Sequence, residues 1–513
     1  MTKQSAINLL AQVVMFGVNL CISFFLVPYI TEVIGVDAYG FVGLANDFVS
    51  YAQIVTVAIN SMASRFITIK IHEGDKEEAN KFYSSVVIAN IILSVILGII
   101  GMVFVIFMQH FINVPSDLLL DVKLLFVLIF ANFIISILTS TFSVATFCTN
   151  KLYLSSIKTI ISQIIRVIIL LGAFLLLKPS VFYIGLASIV STAYLGYCNY
   201  RYSKELTPDL VISRKHFDLK HIKTLLSSGI WNTFSKLSNI LSSGLDLLIS
   251  NIFIGSVSMG IISVSKTIPN TILNAFGTIT SVFTPELTIS YAKKDTEAMK
   301  HQLLFAVKLL GIFSALPIAI LFAYGDVFYT LWVPEQNATL LHYLTCVSVL
   351  GLCISLPLEP LWNIFTVTNK VKNSSLFLFM NSALTIIIVF ILLNIFENPI
   401  TRMFIIVGVS ICFSIIRSLT FLPLYGAKCV NIKLTAFYPT IFKNLLVIAI
   451  STLISLGIKH LIGVNSWLTL IIAAILTCII SIIISTFITI NKNDRIKIEE
   501  MIKRRFKKKG TAV

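Results

Sequence analysis

Charge is what this sequence has least of. Only 12% of its 513 residues are Asp, Glu, Lys or Arg, against about 25% in soluble chains. With 57% hydrophobic residues and a mean hydropathy of +0.93, too little polar surface remains to clothe a water-soluble fold. A soluble enzyme, a soluble nucleic-acid binder and a disordered scaffold are therefore excluded for the chain as a whole. Cysteine is sparse and unpaired: positions 21, 148, 198, 346, 353, 412, 429 and 478 stand singly, with no C-x-x-C. Neither a zinc site nor a disulfide framework is supported. There is no G-x-x-x-x-G-K-[ST] loop, so no nucleotide-driven engine is built in. The histidines (72, 110, 216, 221, 301, 342 and 460) lie at loops or span ends, where solvated side chains are expected. No His/Cys/carboxylate cluster has metal-ligand spacing. Catalysis has no visible seat, and no metal or cofactor is expected.

What the chain has instead is one apolar run after another. A helix needs about 20 mostly apolar residues to cross the hydrocarbon core. Fourteen segments qualify, at approximately 8–31, 41–67, 83–110, 123–147, 152–178, 181–202, 225–254, 258–288, 301–324, 339–365, 373–396, 402–424, 437–461 and 466–490. They are called spans 1 to 14. The first lacks a small-residue cleavage site after it and reads as retained. The fold class is an all-α polytopic membrane protein, and an even count puts both ends on one side. Loops after odd-numbered spans hold a single basic residue, Lys178, whereas those after even-numbered spans are repeatedly basic, as in Lys70/Lys76/Lys81 and Lys293/Lys294/Lys300. Basic loops mark the cytoplasmic side, so both termini are expected there. The net charge of +16 then needs no nucleic-acid partner. Nine of the 39 basic residues lie in 491–513, a tail that reads as an anchor to anionic lipid.

A shift of 220 residues exposes a duplication. Gly35 and Gly40 fall on Gly255 and Gly260, Thr68-Ile69 on Thr288-Ile289, and Asp75-x-Glu77 on Asp295-x-Glu297. Gln12, Asn19 and Ser23 fall on Asn232, Asn239 and Ser243. At 219, Thr149-Asn150-Lys151 falls on Thr368-Asn369-Lys370. A six-span repeat has parallel copies, related by an axis along the membrane normal. The expected organisation is an N-terminal six-helix lobe (1–204), a cytoplasmic inter-lobe loop (205–224), a C-terminal six-helix lobe (225–430), two extra helices (431–490) and the basic tail (491–513). Two parallel lobes place a central cavity between them and suit alternating access.

An ionisable group at membrane depth costs on the order of 2.5–3.5 kcal/mol, so it usually faces a cavity or a partner. On span 7, Asn232, Lys236, Asn239, Ser243, Asp246 and Ser250 recur at spacings 4, 3, 4, 3, 4, one face of an α-helix. A packing seam would explain the Ser and Asn; Lys and Asp on the same stripe favour a cavity lining. Span 8 carries Lys266, Asn270 and Asn274 on one face, with Pro269 freeing a backbone carbonyl for a cavity or a hinge. Span 5 places Lys158 and mid-membrane Arg166 on one face. Span 2 has Asp47 near one end and Arg65 near the other, where Arg65 is able to snorkel. Span 10 contains Pro357-Leu358-Glu359-Pro360, a carboxylate in a doubly broken helix, and span 12 carries Arg417. The cations Arg65, Lys158, Arg166, Lys236, Lys266 and Arg417 outweigh Asp47, Asp246, Glu286 and Glu359. A lining of that balance favours an anion, and the arginine fork matches phosphate oxygens. Asn232, Asn239, Asn270 and Asn274 are the candidate hydrogen-bonding partners of the same ligand, and Asp47, Asp246 and Glu359 the candidate ion-coupling groups.

With Ile34-Gly35-Val36-Asp37-Ala38-Tyr39-Gly40-Phe41, with Ser64-Arg65 and with the loop Gly74-Asp75-Lys76-Glu77-Glu78, the chain resembles the polysaccharide flippases of the Wzx type. These belong to the superfamily of multidrug, oligosaccharidyl-lipid and polysaccharide exporters. The resemblance implies translocation of undecaprenyl-diphosphate-linked oligosaccharide repeat units for O-antigen, capsule or exopolysaccharide, driven by a proton or sodium gradient. It also implies membrane lipids, and a polysaccharide polymerase and chain-length regulator, as partners. A lipid II flippase for peptidoglycan is the neighbouring alternative. A cation-coupled multidrug exporter usually has twelve spans and an acidic cavity. A membrane glycan polymerase would need a larger outer loop than 112–122 or 325–337 provides.

Overall fold

The computed structural model describes residues 3–281, 283–368 and 370–489; the tail 491–513, with its expected lipid anchor, lies outside them. Among the described residues every regular element is helical, and each of the fourteen expected spans falls on helix. Eleven of these helices are long and apolar enough to cross a membrane. The segments that miss that threshold are Phe182–Leu206, the pieces of span 7 and Ser256–Ser281. The last two carry the polar stripes of spans 7 and 8, and those Asn, Ser, Thr, Lys and Asp side chains are what lower their hydropathy.

The helices overrun the apolar windows. Val36–His72 and Thr296–Trp332 each hold 37 residues, about 55 Å at 1.5 Å per residue, well beyond a hydrocarbon core of about 30 Å. Apolarity measures the thickness of the membrane, and a helix is free to continue past it. The expected loop at 325–337 is therefore helical as far as Trp332. The turn between spans 1 and 2 shrinks to Gly35, whose φ of +87° suits a residue without Cβ.

Where helices break, the backbone explains it. Span 10 ends as Ala338–Leu358 and resumes as Pro360–Val367, because Pro360 lacks the N–H for a regular helical bond. The Glu359 N–H bonds Leu356 O instead, at 3.3 Å. Span 8 keeps its helix through Pro269. The carbonyl that Pro269 leaves free, four residues back at Ser265, accepts a 3.1 Å hydrogen bond from Thr345 Oγ1, itself 2.7 Å from Tyr329 Oη. That carbonyl is spent on packing rather than on a cavity.

The duplication is written in backbone geometry. Gly35 and its repeat mate Gly255 both have positive φ (87° and 132°), as do Gly74 and Lys294 (77° and 57°). Asp75 caps span 3 by accepting from Glu78 N–H at 3.1 Å, and Asp295 caps span 9 through Ala298 N–H at 2.9 Å. The pairs Asp75 N–Lys70 O and Asp295 N–Ser290 O match, at 3.1 and 3.0 Å. So do Lys151 N–Thr146 O and Lys370 N–Phe365 O, both 2.8 Å.

By contacts the chain groups into two compact units. One holds residues up to Val264 with Val371–Ser410; the other holds Ser265–Lys370 with residues from Ile411 onward. In the first unit the segment at 205–224, expected as the inter-lobe loop, is strapped to the start of span 3. Asn80 donates to Asp209 O and accepts from Val211 N–H, and Ser85 bridges to the backbone of Asp218. His221, expected to be solvated, is 8% exposed, with Nε2 2.8 Å from Glu78 and Nδ1 3.3 Å from Asp218. Its helix is capped by Asp218, whose carboxylate accepts from Lys220 N–H, so the polar residues of this connection serve its own folding.

In the second unit spans 13 and 14 are built into the body around span 9. Lys459 pairs with Asp326 at 2.6 Å, and Tyr324 Oη meets Thr477 Oγ1 at 3.0 Å. Gly311 lets the buried Asn444 amide lie against the span 9 backbone. Overpacking a tight seam costs about 1–3 kcal/mol, so Gly311→Val is expected to lower the melting temperature of the purified protein. An unchanged melt would show the seam to be slack.

Candidate functional site

Span 7 does not carry its stripe on one face. Leu219–Asn239 gives way to a π-helical turn at Ile240–Gly244 before Asp246–Phe253 resumes. A π turn holds an extra residue, which rotates the next stretch of helix by about 100° relative to an unbroken α-helix. Asn239 and Ser243 are accordingly exposed, whereas Asp246 is 3% and Ser250 0% exposed. The widened turn leaves the Gly244 carbonyl to accept a 2.6 Å hydrogen bond from Tyr51 Oη on span 2.

That bond centres an acidic constellation in the first unit. Tyr51 lies in the fields of both Asp47, one turn earlier on span 2, and Asp246. Lys236, half-buried, lies in the field of Asp47. Lys236 and Asp246 stand ten positions apart along span 7, and the carboxylate in whose field Lys236 lies, Asp47, comes from span 2. Asn232 donates to Ser61 Oγ at 3.1 Å, a second tie between these helices. Their backbones touch where Gly229 meets Ala58.

Arg166 is different in kind. It is half-buried, its Nε is buried without a hydrogen-bond partner, and the titratable neighbour in whose field it lies is Tyr39, not a carboxylate. Lys158, two turns earlier, is half-buried, and Arg65 is exposed. Two apolar clefts also open in this unit. One of about 460 Å³ lies between spans 1 and 5, lined by Val14, Gly17, Ile164 and Ile168. Another of about 390 Å³ is lined by Phe48, Tyr51, Phe104 and Phe130. Such walls suit lipid chains rather than a polar headgroup.

In the second unit the break in span 10 puts Glu359 in the field of Arg417. The Arg417 guanidinium sits 5.8 Å from the ring centre of Trp362 and donates to Ser414 Oγ at 3.2 Å, while its Nε has no partner. Lys266 is half-buried, Asn270 and Asn274 are exposed, and the Glu286 side chain lies outside the described residues. The structure thus brings Asp47 and Asp246 to Tyr51, with Lys236 in the field of Asp47, and Glu359 and Arg417 together beside Trp362. Sequence reasoning missed both aromatic centres. The available signal was spacing: Tyr51 is four residues after Asp47, and Trp362 three after Glu359, each one helical turn from its carboxylate. Among the described residues no group of three or more His, Cys, Asp or Glu is placed to hold a metal.

The sequence profile of a family described as polysaccharide biosynthesis protein matches residues 2–290. A relative from Bacillus subtilis (strain 168), described as the uncharacterized membrane protein EpsK, is 26% identical over 509 residues, covering 99% of both chains. An inward-facing MATE-family multidrug resistance transporter of the MOP superfamily is similar with a TM-score of 0.65 and 13% identity, over 84% of this chain and 95% of its own. The lipid II flippase MurJ, in an inward closed conformation, is similar with a TM-score of 0.61 and 16% identity, over 95% of this chain and 98% of its own. At such identities the two structures establish a shared fold, that of a multi-pass membrane protein.

Proposed function

Because the chain belongs to the polysaccharide biosynthesis protein family and folds as the MOP-superfamily transporters do, we propose that it is a flippase for undecaprenyl-diphosphate-linked oligosaccharide repeat units. It acts in the bacterial cytoplasmic membrane, in the synthesis of O-antigen, capsule or exopolysaccharide. In this reading all fourteen spans cross the membrane, both termini are cytoplasmic, and two six-helix lobes (1–204 and 225–430) alternate access to a central cavity. The observation that carries the reading is the family match over 2–290, joined by a mid-membrane arginine whose titratable neighbour among the described residues is a tyrosine rather than a carboxylate.

The diphosphate is the part of the substrate that such a cation fits, since a planar guanidinium donates two parallel bonds to phosphate oxygens. Arg166, Lys236 and Lys266 hold it, with Arg65, Lys158 and Arg417 extending the positive lining. Asn232, Asn239, Asn270 and Asn274 hydrogen-bond sugar hydroxyls, and the polyprenyl tail stays in lipid. Asp47, Asp246 and Glu359 are the groups for a coupling proton or sodium ion; Asp47 and Asp246 share Tyr51 as a neighbour. Ion binding there would alter the charge facing Lys236, which links coupling to headgroup release. The chain works as a secondary transporter, without enzymatic chemistry, beside a polymerase and chain-length regulator.

Deleting the gene and analysing both surface glycan and the lipid-linked pool tests this. Loss of surface polysaccharide, with undecaprenyl-linked repeat units stranded on the cytoplasmic face, is expected. Unchanged surface glycan would sink the reading. Lipid II transport is the second reading, favoured by the MurJ likeness over 95% of the chain. It predicts instead that the deletion is lethal and that peptidoglycan precursor accumulates.

A further inference from the structure

Span 5 carries two unlike faces. Ser162, Arg166 and Leu170, four residues apart, share one, on which Ser162 and Leu170 are 2% and 0% exposed. Ile157, Ile164, Ile168 and Leu175, spaced 7, 4 and 7, share the other, and all four are exposed. Ile164 and Ile168 are also walls of the cleft of about 460 Å³ that span 5 forms with Val14, Gly17 and Cys21 of span 1. Arg166 lies between these two isoleucines in the chain. Guanidinium and cleft therefore stand at one depth, on opposite faces of a helix about 10–12 Å across.

The cleft is closed at one end and unfilled in its middle. The rings of Tyr29 and Phe174 meet at 5.9 Å, joining spans 1 and 5 toward their C-terminal ends. The cleft opens at Ile22 and Ile168, seven and six residues earlier, about 10 Å along the helices. Its walls hold only apolar side chains and the Cys21 thiol. A Cβ on Gly17 would meet nothing within 4 Å, so the protein leaves this space to something else.

Depth decides what fills it. Arg166 stands fourteen residues past Leu152 and ten before Leu176, about 21 and 15 Å from the two ends of its helix. A bilayer phospholipid keeps its phosphate at the interface, about 15 Å from the midplane of a hydrocarbon core about 30 Å thick. Its chains are able to enter the cleft, but its phosphate then lies far from Arg166. An amphiphile whose anionic head has been drawn to mid-membrane satisfies both faces of span 5 at once, giving the unpartnered Nε an oxygen and the cleft a chain.

We propose that the cleft between spans 1 and 5 seats the isoprenoid chain of a polyprenyl-diphosphate ligand while Arg166, across the helix, holds its diphosphate. This rests on the flippase reading and deepens it by naming the seat of the chain. The Tyr29–Phe174 contact closes the C-terminal end of the cleft, so the chain enters from the side of the helix N-termini, the cytoplasmic leaflet in that reading.

The test is a photoactivatable undecaprenyl diphosphate, with a diazirine on its chain, applied to the purified full-length protein in phosphatidylglycerol vesicles. Adducts are expected within 14–22 and 164–168, and a tenfold excess of unlabelled undecaprenyl diphosphate should suppress them at least fivefold. Adducts confined to other helices would overturn the seat, as would adducts that the unlabelled diphosphate fails to suppress, the mark of bulk lipid. This map uses the unaltered chain, so it holds whether or not any variant folds. Gly17→Phe, which fills the cleft, should lower both the adducts and surface glycan at least fivefold. Gly457→Phe on span 13, where a Cβ also meets nothing within 4 Å, should leave both unchanged. If the adducts map to the cleft while deletion of the gene leaves surface glycan intact, the seat stands and the flippase reading falls. If deletion abolishes surface glycan while Gly17→Phe keeps wild-type glycan and adducts, the seat falls and the flippase reading stands.

Discussion

Arg166→Gln is expected to cut translocation by about 10- to 150-fold while leaving the folded protein at least as stable as before. A charge-assisted hydrogen bond is worth about 1.5–3 kcal/mol, and each 1.4 kcal/mol is about tenfold. The stability side comes from the surroundings of Arg166: a half-buried guanidinium with an unpartnered Nε and, among the described residues, no carboxylate in its field is a cost to the empty protein. Removing a structural cation would destabilise; removing a ligand-binding one should not. Arg166→Lys keeps the charge but loses the planar fork and should fall between the two. The measurement is surface glycan per unit of folded protein in the deletion strain. Wild-type glycan from the Gln variant would remove Arg166 from the site.

Lys236 and Arg417 need a different experiment, because each stands in the field of a carboxylate. Neutralising either alone also removes the positive charge facing Asp47 or Glu359, so lost activity would not identify a substrate contact. The pairs Lys236→Met/Asp47→Asn and Arg417→Met/Glu359→Gln separate the two effects through a double-mutant cycle. A pair that restores folding but not translocation marks the site; one that restores both marks a structural charge pair.

The second large effect is expected at Gly229. A Cβ there would meet the Ala58 backbone, with the carbonyl carbon at 2.7 Å and Cα at 2.9 Å, and backbone does not yield as a side-chain tip does. In a membrane, where helices are held together by close packing and hydrogen bonds, such contacts are the attraction itself. Gly229→Leu forces spans 2 and 7 apart, at a cost of several kcal/mol, beyond the usual 1–3 for overpacking. It also loosens the Asn232–Ser61 and Tyr51–Gly244 bonds that depend on the approach. Steady-state abundance should drop several-fold, and Gly229→Ala should already lower the melting temperature measurably. Normal abundance and an unchanged melt for the leucine variant would show that the two helices are free to separate.

Membership in an all-helical membrane class was legible at once, because hydrocarbon imposes one rule everywhere: long apolar helices with internally satisfied backbones. The duplication was legible too, and its loops carry matching φ angles and caps. Helix ends were not, since apolarity reports where lipid stops rather than where hydrogen bonding stops; Thr296–Trp332 is the plainest case. The polar stripe of span 7 was legible as a set of residues but not as a face. Nothing in the sequence from Ile240 to Gly244 announces a π turn, which forms where it lets Tyr51 reach Gly244 O.

The solvent this protein lives in, the repeat and the inventory of buried charges were all set by the order of residues, since each depends on composition, period or count along one chain. Which charge faces which was settled only when the helices packed. Asp47 meets Lys236 and Glu359 meets Arg417 across 189 and 58 residues of chain. Packing also settled that the repeat mates Gly40 and Gly260 touch. Helical period places a side chain on a face without naming the helix that face will meet.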